Sequence, residues 1–161
     1  MRNRVLFLAL ILLCASLAVS AQERGAFSVV GVGARPLSMG GAFVAQADSA
    51  DASYWNPAGL AQLDNQQLTT MNTDLFGLGV QYNWFSFVKP VGDKYTFGLA
   101  YTGLDASSAF GDFPYKENMY YASFAGAKQD FGKLGMNLNW GVNAKYAGLK
   151  GGSELVNTTE Q

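Results

Sequence analysis

The chain has 161 residues, with 11 basic and 12 acidic side chains, a formal net charge of −1, no histidine and a single cysteine, Cys14. The missing histidine and lone cysteine exclude Ser-His-Asp and Cys-His nucleophiles and any HExxH or CxxC metal spacing. Charged residues make up only 14%, against roughly 25% in ordinary soluble domains, and no cluster of Lys and Arg offers nucleic acid a binding surface.

The first stretch reads as an export signal. Arg2 and Arg4 form a basic start, Val5 to Leu13 an apolar run, and Val19-Ser20-Ala21 a small-residue cleavage site before Gln22. A membrane helix needs about 20 apolar residues, and Ser16, Ser20 and Gln22 interrupt this run too early. Leu13 stands before Cys14, where a lipid attachment site needs a small residue. Cleavage after Ala21 removes Arg2, Arg4 and Cys14 and leaves 9 basic against 12 acidic residues. The mature chain is then slightly acidic and free of thiols.

Residues 33–64 follow neither the strand period of two nor the helical period of 3.6 for long. Pro36, Gly40-Gly41 and Pro57-Ala58-Gly59 punctuate a run of Ala and Ser. Gly40-Gly41 permits left-handed or closely packed backbone, and Pro57 pushes Asn56 towards an extended conformation. The expectation is a compact, irregular segment that needs walls around it to be ordered.

Amphipathic strands come next. Gln67 to Asp74 is a weak, polar strand. In Leu78 to Val88, Leu78, Val80, Tyr82, Trp84 and Val88 share one face, while Phe85 and Phe87 break the phase and suggest a bulge or an aromatic belt. Pro90 to Asp93 reads as a tight turn. Tyr95 to Leu104 alternates Tyr95, Phe97, Leu99 and Tyr101 against Thr96, Gly98, Ala100 and Thr102. A longer loop, Asp105 to Lys116, leads to a mixed strand, Asn118 to Lys128, and a short turn, Gln129 to Lys133.

The strongest alternation is Leu134 to Tyr146. Leu134, Met136, Leu138, Trp140, Val142, Ala144 and Tyr146 form one face, and Gly135, Asn137, Asn139, Gly141, Asn143 and Lys145 the other. Thirteen residues at about 3.3 Å each run about 43 Å. Tilted as in an outer-membrane barrel, they cover the apolar band of about 25 Å and both aromatic girdles. Sandwich strands usually have about 5–6 residues, so the pattern favours an all-β, antiparallel transmembrane β-barrel over a soluble sandwich. Short turns at 90–93 and 129–133 would face the periplasm, and the 105–116 loop and the tail from Leu149 the outside. Four strands, or five with Gln67–Asp74, are too few to close a barrel of at least about eight. The chain therefore reads as the N-terminal part of a longer protein.

One stretch carries a resemblance. Ala34-Arg35-Pro36-Leu37-Ser38-Met39-Gly40-Gly41-Ala42-Phe43, then Ala47-Asp48-Ser49-Ala50, then Tyr54-Trp55-Asn56-Pro57-Ala58-Gly59-Leu60 resembles the N-terminal signature of FadL-like outer-membrane proteins, and within them the PorV/PorQ branch. Ser38 stands where that branch usually has Gly. The resemblance implies a barrel of the bacterial outer membrane whose N-terminal segment folds into the lumen as a hatch. The division is then a signal peptide (1–21), a leader and hatch segment (22–65) and the first strands of an incomplete barrel (66–161). It implies a channel or transporter for hydrophobic small molecules. The alternatives are a PorV-like component of type IX protein secretion, with exported proteins as partners, or a purely structural outer-membrane protein. Lipid is the surrounding partner in each case.

The resemblance makes Gly40, Gly41, Tyr54, Trp55, Asn56, Pro57 and Ala58 the candidates for gating or scaffolding the hatch. Asn56 would offer amide hydrogen bonds to lumen groups and Pro57 would stiffen the turn, with Tyr54 and Trp55 as anchors on the wall. The competing reading of Asn56-Pro57 is an ordinary turn ending a short helix. No enzyme, cofactor or metal is expected. Asp48 and Asp51, three apart, would share a face for acid-base or metal work, but small-residue loops often carry such pairs. Gly31-Val32-Gly33 lacks the third glycine of a dinucleotide fingerprint and reads as close packing. Asn157-Thr158-Thr159 matches a glycosylation sequon by accident of composition.

Overall fold

The computed structural model describes residues 30–92, 94–109, 115–130 and 137–151. Five strands follow in order: β1 (Gln67–Leu75), β2 (Val80–Val91), β3 (Tyr95–Asp105), β4 (Tyr115–Asp130) and β5 (Asn137–Gly151). Each pairs antiparallel with its neighbours in sequence, giving one sheet ordered β1-β2-β3-β4-β5. β1 and β5 are its edges, so the sheet is open. The chain is all-β, as the alternation requires.

Among the described residues, three short helical turns come ahead of the sheet: α1 (Ala34–Ser38), α2 (Ala52–Trp55) and a 3₁₀ helix (Pro57–Gln62). The 3₁₀ helix lies against β4 and β5, and α2 against β3 and β4, on one face of the sheet. The segment bends where L-residues resist. Gly31, Gly33, Gly40, Gly41 and even Ala47 have positive φ, which explains why no helical or strand period survives there. Asn56 is extended, with φ −161°, as the following proline demands.

The covered face of the sheet carries two apolar clusters. Val80, Tyr82, Trp84, Leu104, Met119 and Tyr121 gather around Val32 of the segment. Phe43, Ala47, Ala50, Ala52, Leu60 and Leu63 close onto Val88 and Ala125. Among the described residues none covers the opposite, bare face, and Phe85, Phe87, Phe97, Leu99, Tyr120, Leu138, Val142 and Tyr146 all lie exposed on it.

Several sequence expectations are corrected here. Phe85 and Phe87 mark no bulge, because β2 pairs in unbroken register with β1 and β3 from Gln81 to Val88. They are the bare face of β2, while Val80, Tyr82, Trp84 and Val88 are buried under the segment. β2 is apolar on both sides because both sides need it. Leu78 belongs to the β1–β2 turn, where Gly77 and Gly79 have positive φ. The irregularity sits elsewhere, between Gly126 and Gln129 of β4.

The strands also run longer than the turn residues suggest. Pro90 and Val91 stay in β2, opposite Thr96 and Tyr95. Proline is tolerated at position 90 because β1 pairing stops at Gln67–Val88, so no neighbour on that side needs a donor. Tyr115 and Lys116 belong to β4, as do Gln129 and Asp130, and Leu149 to Gly151 extend β5 instead of forming a tail. The expected signal segment (1–21), Leu134, Met136 and the Asn157 sequon lie outside the described residues.

Glycine lets the segment approach the sheet. A Cβ on Gly141 of β5 would overlap the Pro57–Ala58 peptide, whereas the nearest neighbour of a Cβ on Gly148 is the Asn118 carbonyl at 4.0 Å. Gly141→Ala is expected to destabilise the fold by about 1–3 kcal/mol through overpacking. Gly148→Ala on the same strand is expected to change stability by less than about 1 kcal/mol. Urea unfolding of the two variants checks the difference.

Candidate functional site

The signature residues fall into two groups, one turned into the segment and one turned onto the sheet. Trp55 belongs to the first. Its indole N–H donates to the Val32 carbonyl at 2.9 Å, and its ring lies over Gly31 and Gly41, where a Cβ would sit 2.9 Å and 3.5 Å from ring carbons. Gly41 is therefore a packing glycine with φ +79°. Gly40, beside it, has φ +63° and open space around the Cβ position, so it serves the turn alone.

Asn56 ties two parts of the segment together. Its amide nitrogen donates to the Val44 carbonyl at 2.9 Å, and its amide oxygen accepts from Ala58 N–H at 3.2 Å, capping the 3₁₀ helix. Gln62 reinforces the link by donating to the carbonyls of Gln46 (2.9 Å) and Ala47 (3.1 Å). A Cβ on Gly59 would overlap the Ala47 carbonyl, so the residues around Ala47 rest directly on the 3₁₀ helix.

Tyr54, Pro57 and Ala58 face the sheet. The Tyr54 ring meets Trp84 and Tyr121, each at 6.1 Å between centroids, and Pro57-Ala58 sits on Gly141. Tyr54 thus packs on the sheet, whereas the Trp55 indole bonds inward to Val32. The Trp84 contact is edge-on and the Tyr121 contact tilted; such aromatic pairs add roughly 0.5–1.5 kcal/mol each beyond their burial.

Polar attachment to the sheet converges on Ala50, the last residue of the second signature stretch, and on Asp51 and Ser53, which the signature does not include. Gln67 of β1 accepts from Ala50 N–H at 3.0 Å. Ser86 of β2 donates to the Ala50 carbonyl at 2.9 Å and lies 3.2 Å from the Ser53 hydroxyl. Asn143 of β5 donates to the Ser53 carbonyl at 2.6 Å.

Asp51 is buried, and its Oδ1 accepts from both Trp84 Nε1 (2.8 Å) and Thr69 Oγ1 (2.9 Å). Its Oδ2 accepts from Ser49 Oγ at 3.2 Å. Gly33 packs on the carboxyl group, and a Cβ there would come within 2.7 Å of Cγ.

Asp48 and Asp51 do not form the acidic pair that their spacing allows. Asp48 turns to solvent and takes two bonds from Arg35, at 2.7 Å and 3.1 Å, plus one from Gln46 at 3.1 Å. The Arg35 hydrogen bonds hold its carboxyl below the ordinary range.

A cleft of about 200 Å³ opens between the end of the 3₁₀ helix and the β2–β3 turn, lined by Leu63, Asp64, Pro90, Lys94 and Thr96. No signature candidate lines it. No family model matches the chain, and neither a curated protein nor a solved structure does.

Two outcomes are expected. Asn56→Ala removes the cap and the Val44 tie and is expected to cost about 0.5–2 kcal/mol, with faster proteolysis around residues 42–48 and intact strands on the same gel. For the ion pair, a depressed folded pKa means the stabilisation is present above the unfolded value of about 3.9 and is lost as pH falls through the folded value. Both partners are exposed, so the stability effect is small. Arg35→Ala is expected to move the Asp48 pKa, read by NMR titration, back up towards the ordinary range.

Proposed function

We propose that this sheet is part of the wall of an outer-membrane β-barrel, with residues 30–63 as its luminal hatch, in a FadL-like channel or transporter for hydrophobic small molecules. The observation that carries the reading is the banding of the bare face. Phe85, Tyr101, Tyr120 and Tyr146 stand opposite one another in a single row across β2 to β5. Tyr95 and Trp140 stand at the other end, with Phe87, Leu99, Phe97 and Val142 between. Trp140 covers Gly126 and meets Phe124 edge-on at 5.3 Å.

Past the tyrosine row the surface turns polar. Asn72 bonds Asn83 at 2.6 Å, Tyr101 donates to Asn118 at 2.6 Å, and Lys116 pairs with Asp105 at 2.6 Å. Aromatic rows flanking an aliphatic band, with polar residues beyond, suit a bilayer and its interface. In water such a continuous apolar face would be an aggregation surface. Strands of 11 to 16 residues in β2 to β5 also exceed the usual sandwich length of about 5–6. The luminal role and the cargo class come from the resemblance of residues 34–60.

The test has two steps. Leu99→Arg, on the bare face, is expected to cost about 2–4 kcal/mol near mid-membrane, while Asn139→Arg is expected to cost less. Heat-modifiable gel mobility in outer-membrane fractions reads both, and equal damage would sink the facing. Uptake of a fluorescent long-chain fatty acid by cells with and without the gene then tests transport. Unchanged uptake, with exported proteins co-purifying, would favour the PorV-like secretion role instead.

A further inference from the structure

We infer that Asp51 is the latch that holds the hatch closed, and that it works as a double hydrogen-bond acceptor and not as a charge. The inference rests on the reading of residues 30–63 as a hatch. It starts from three donors that belong to three separate places: the Ser49 loop, Thr69 of β1 and Trp84 of β2. All three are neutral. Two of them share one oxygen, Oδ1, so any movement of α2 away from the sheet breaks both bonds together. Trp84 and Asp51 are both buried, which leaves a separated indole N–H and carboxylate with an uncompensated polar burden until water reaches them.

The other oxygen behaves differently. Ser49 Oγ lies 3.2 Å from Oδ2 and also accepts from Asp51 N–H at 3.3 Å. A hydroxyl both donates and accepts, so an amide NH2 in place of Oδ2 can donate to Ser49 while the amide oxygen keeps Trp84 and Thr69. Asparagine therefore fulfils the latch, and leucine, of similar size, does not. Trp84→Phe removes one donor and leaves the ring packing against Tyr54.

The latch is positional, since Asp51 touches no cargo; it acts through the placement of α2 and the turn that follows. Local opening is measurable without reference to transport. Hydrogen exchange with mass spectrometry on the folded protein in detergent compares peptides spanning 47–62 with peptides from β2 to β4. Asp51→Leu is expected to speed exchange in 47–62 by about tenfold or more, with Trp84→Phe intermediate. Strand peptides stay unchanged, and Asp51→Asn stays within about threefold of the parent.

Equal acceleration in the strands would make Asp51 a residue of the whole fold, not a latch. Unchanged exchange in Asp51→Leu would remove the latch altogether. Asparagine behaving like leucine would return the role to the charge. These outcomes do not depend on uptake, so failure of the transport assay with a local, Asn-rescued change in exchange would sink the cargo assignment and leave the latch standing.

Discussion

The burial of one carboxylate, Asp51, is the constraint on which the arrangement of segment and sheet depends. A buried carboxylate without donors is costly, so its oxygens must be met. Trp84 meets one of them only if its side chain points to the covered face. That fixes the parity of β2: even-numbered Tyr82, Trp84, Ser86 and Val88 go under the segment, and Phe85 and Phe87 go to the bare face. Because a slip of one residue would turn every side chain over, the same contact also sets which residues of β1 and β3 face inward. Gly33 completes the constraint, since it carries φ +85° and has a carboxyl group where a Cβ would be.

Around that point the segment divides mechanically. Residues 50–53 are bolted to β1, β2 and β5 by side chains of Gln67, Thr69, Trp84, Ser86 and Asn143. Residues 34–48 are tied instead to the segment itself. Arg35 holds Asp48, and Asn56 and Gln62 hold the carbonyls of Val44, Gln46 and Ala47. The Asn-Pro-Ala turn is the coupling between the two parts, with Asn56 reaching the outer one and Pro57-Ala58 resting on Gly141 of β5. The turn also ends α2, as the competing reading expects, with the Asn56 backbone N–H donating to the Ala52 carbonyl.

What could be read from the sequence follows the same division. β3 and β5 were legible because their covered faces are small or polar, Thr96, Gly98, Ala100 and Thr102 in one and Asn139, Gly141 and Asn143 in the other. Their bare faces are apolar without interruption, so period two stands out. In β2 the shared face of Val80, Tyr82, Trp84 and Val88 was legible, but neither its ends nor the reason for Phe85 and Phe87 was, since Tyr82 and Trp84 pack under the segment while Phe85 and Phe87 pack under none of the described residues. Asn56 was legible because its cap on Ala58 is local. Asp51 was not, because Thr69 and Trp84 stand 18 and 33 residues away, and nothing in a one-dimensional pattern joins a loop aspartate to a strand tryptophan. Its nearness to Asp48 suggested the wrong partner.

The covered face is itself divided, and the division bears on what a moving hatch would uncover. Towards one end it carries Tyr82, Trp84, Leu104, Met119 and Tyr121, large groups packed around Val32. Towards the other it carries Ser86, Gly98, Ser123, Ala125, Gly141 and Asn143, small groups that let backbone approach backbone. The first end is aromatic but not purely apolar, since Glu117 is buried in one row with Leu104 and Tyr82, and Thr102 beside Trp84. In the proposed hatch, displacement of α2 would therefore uncover a half of small groups and a half lined by aromatic rings. Under that proposal a hydrophobic cargo would follow the Tyr54, Trp84 and Tyr121 rings. The proposed latch, Asp51, is bonded to the indole of Trp84, so the contact that would hold the segment down includes a ring that would line the path.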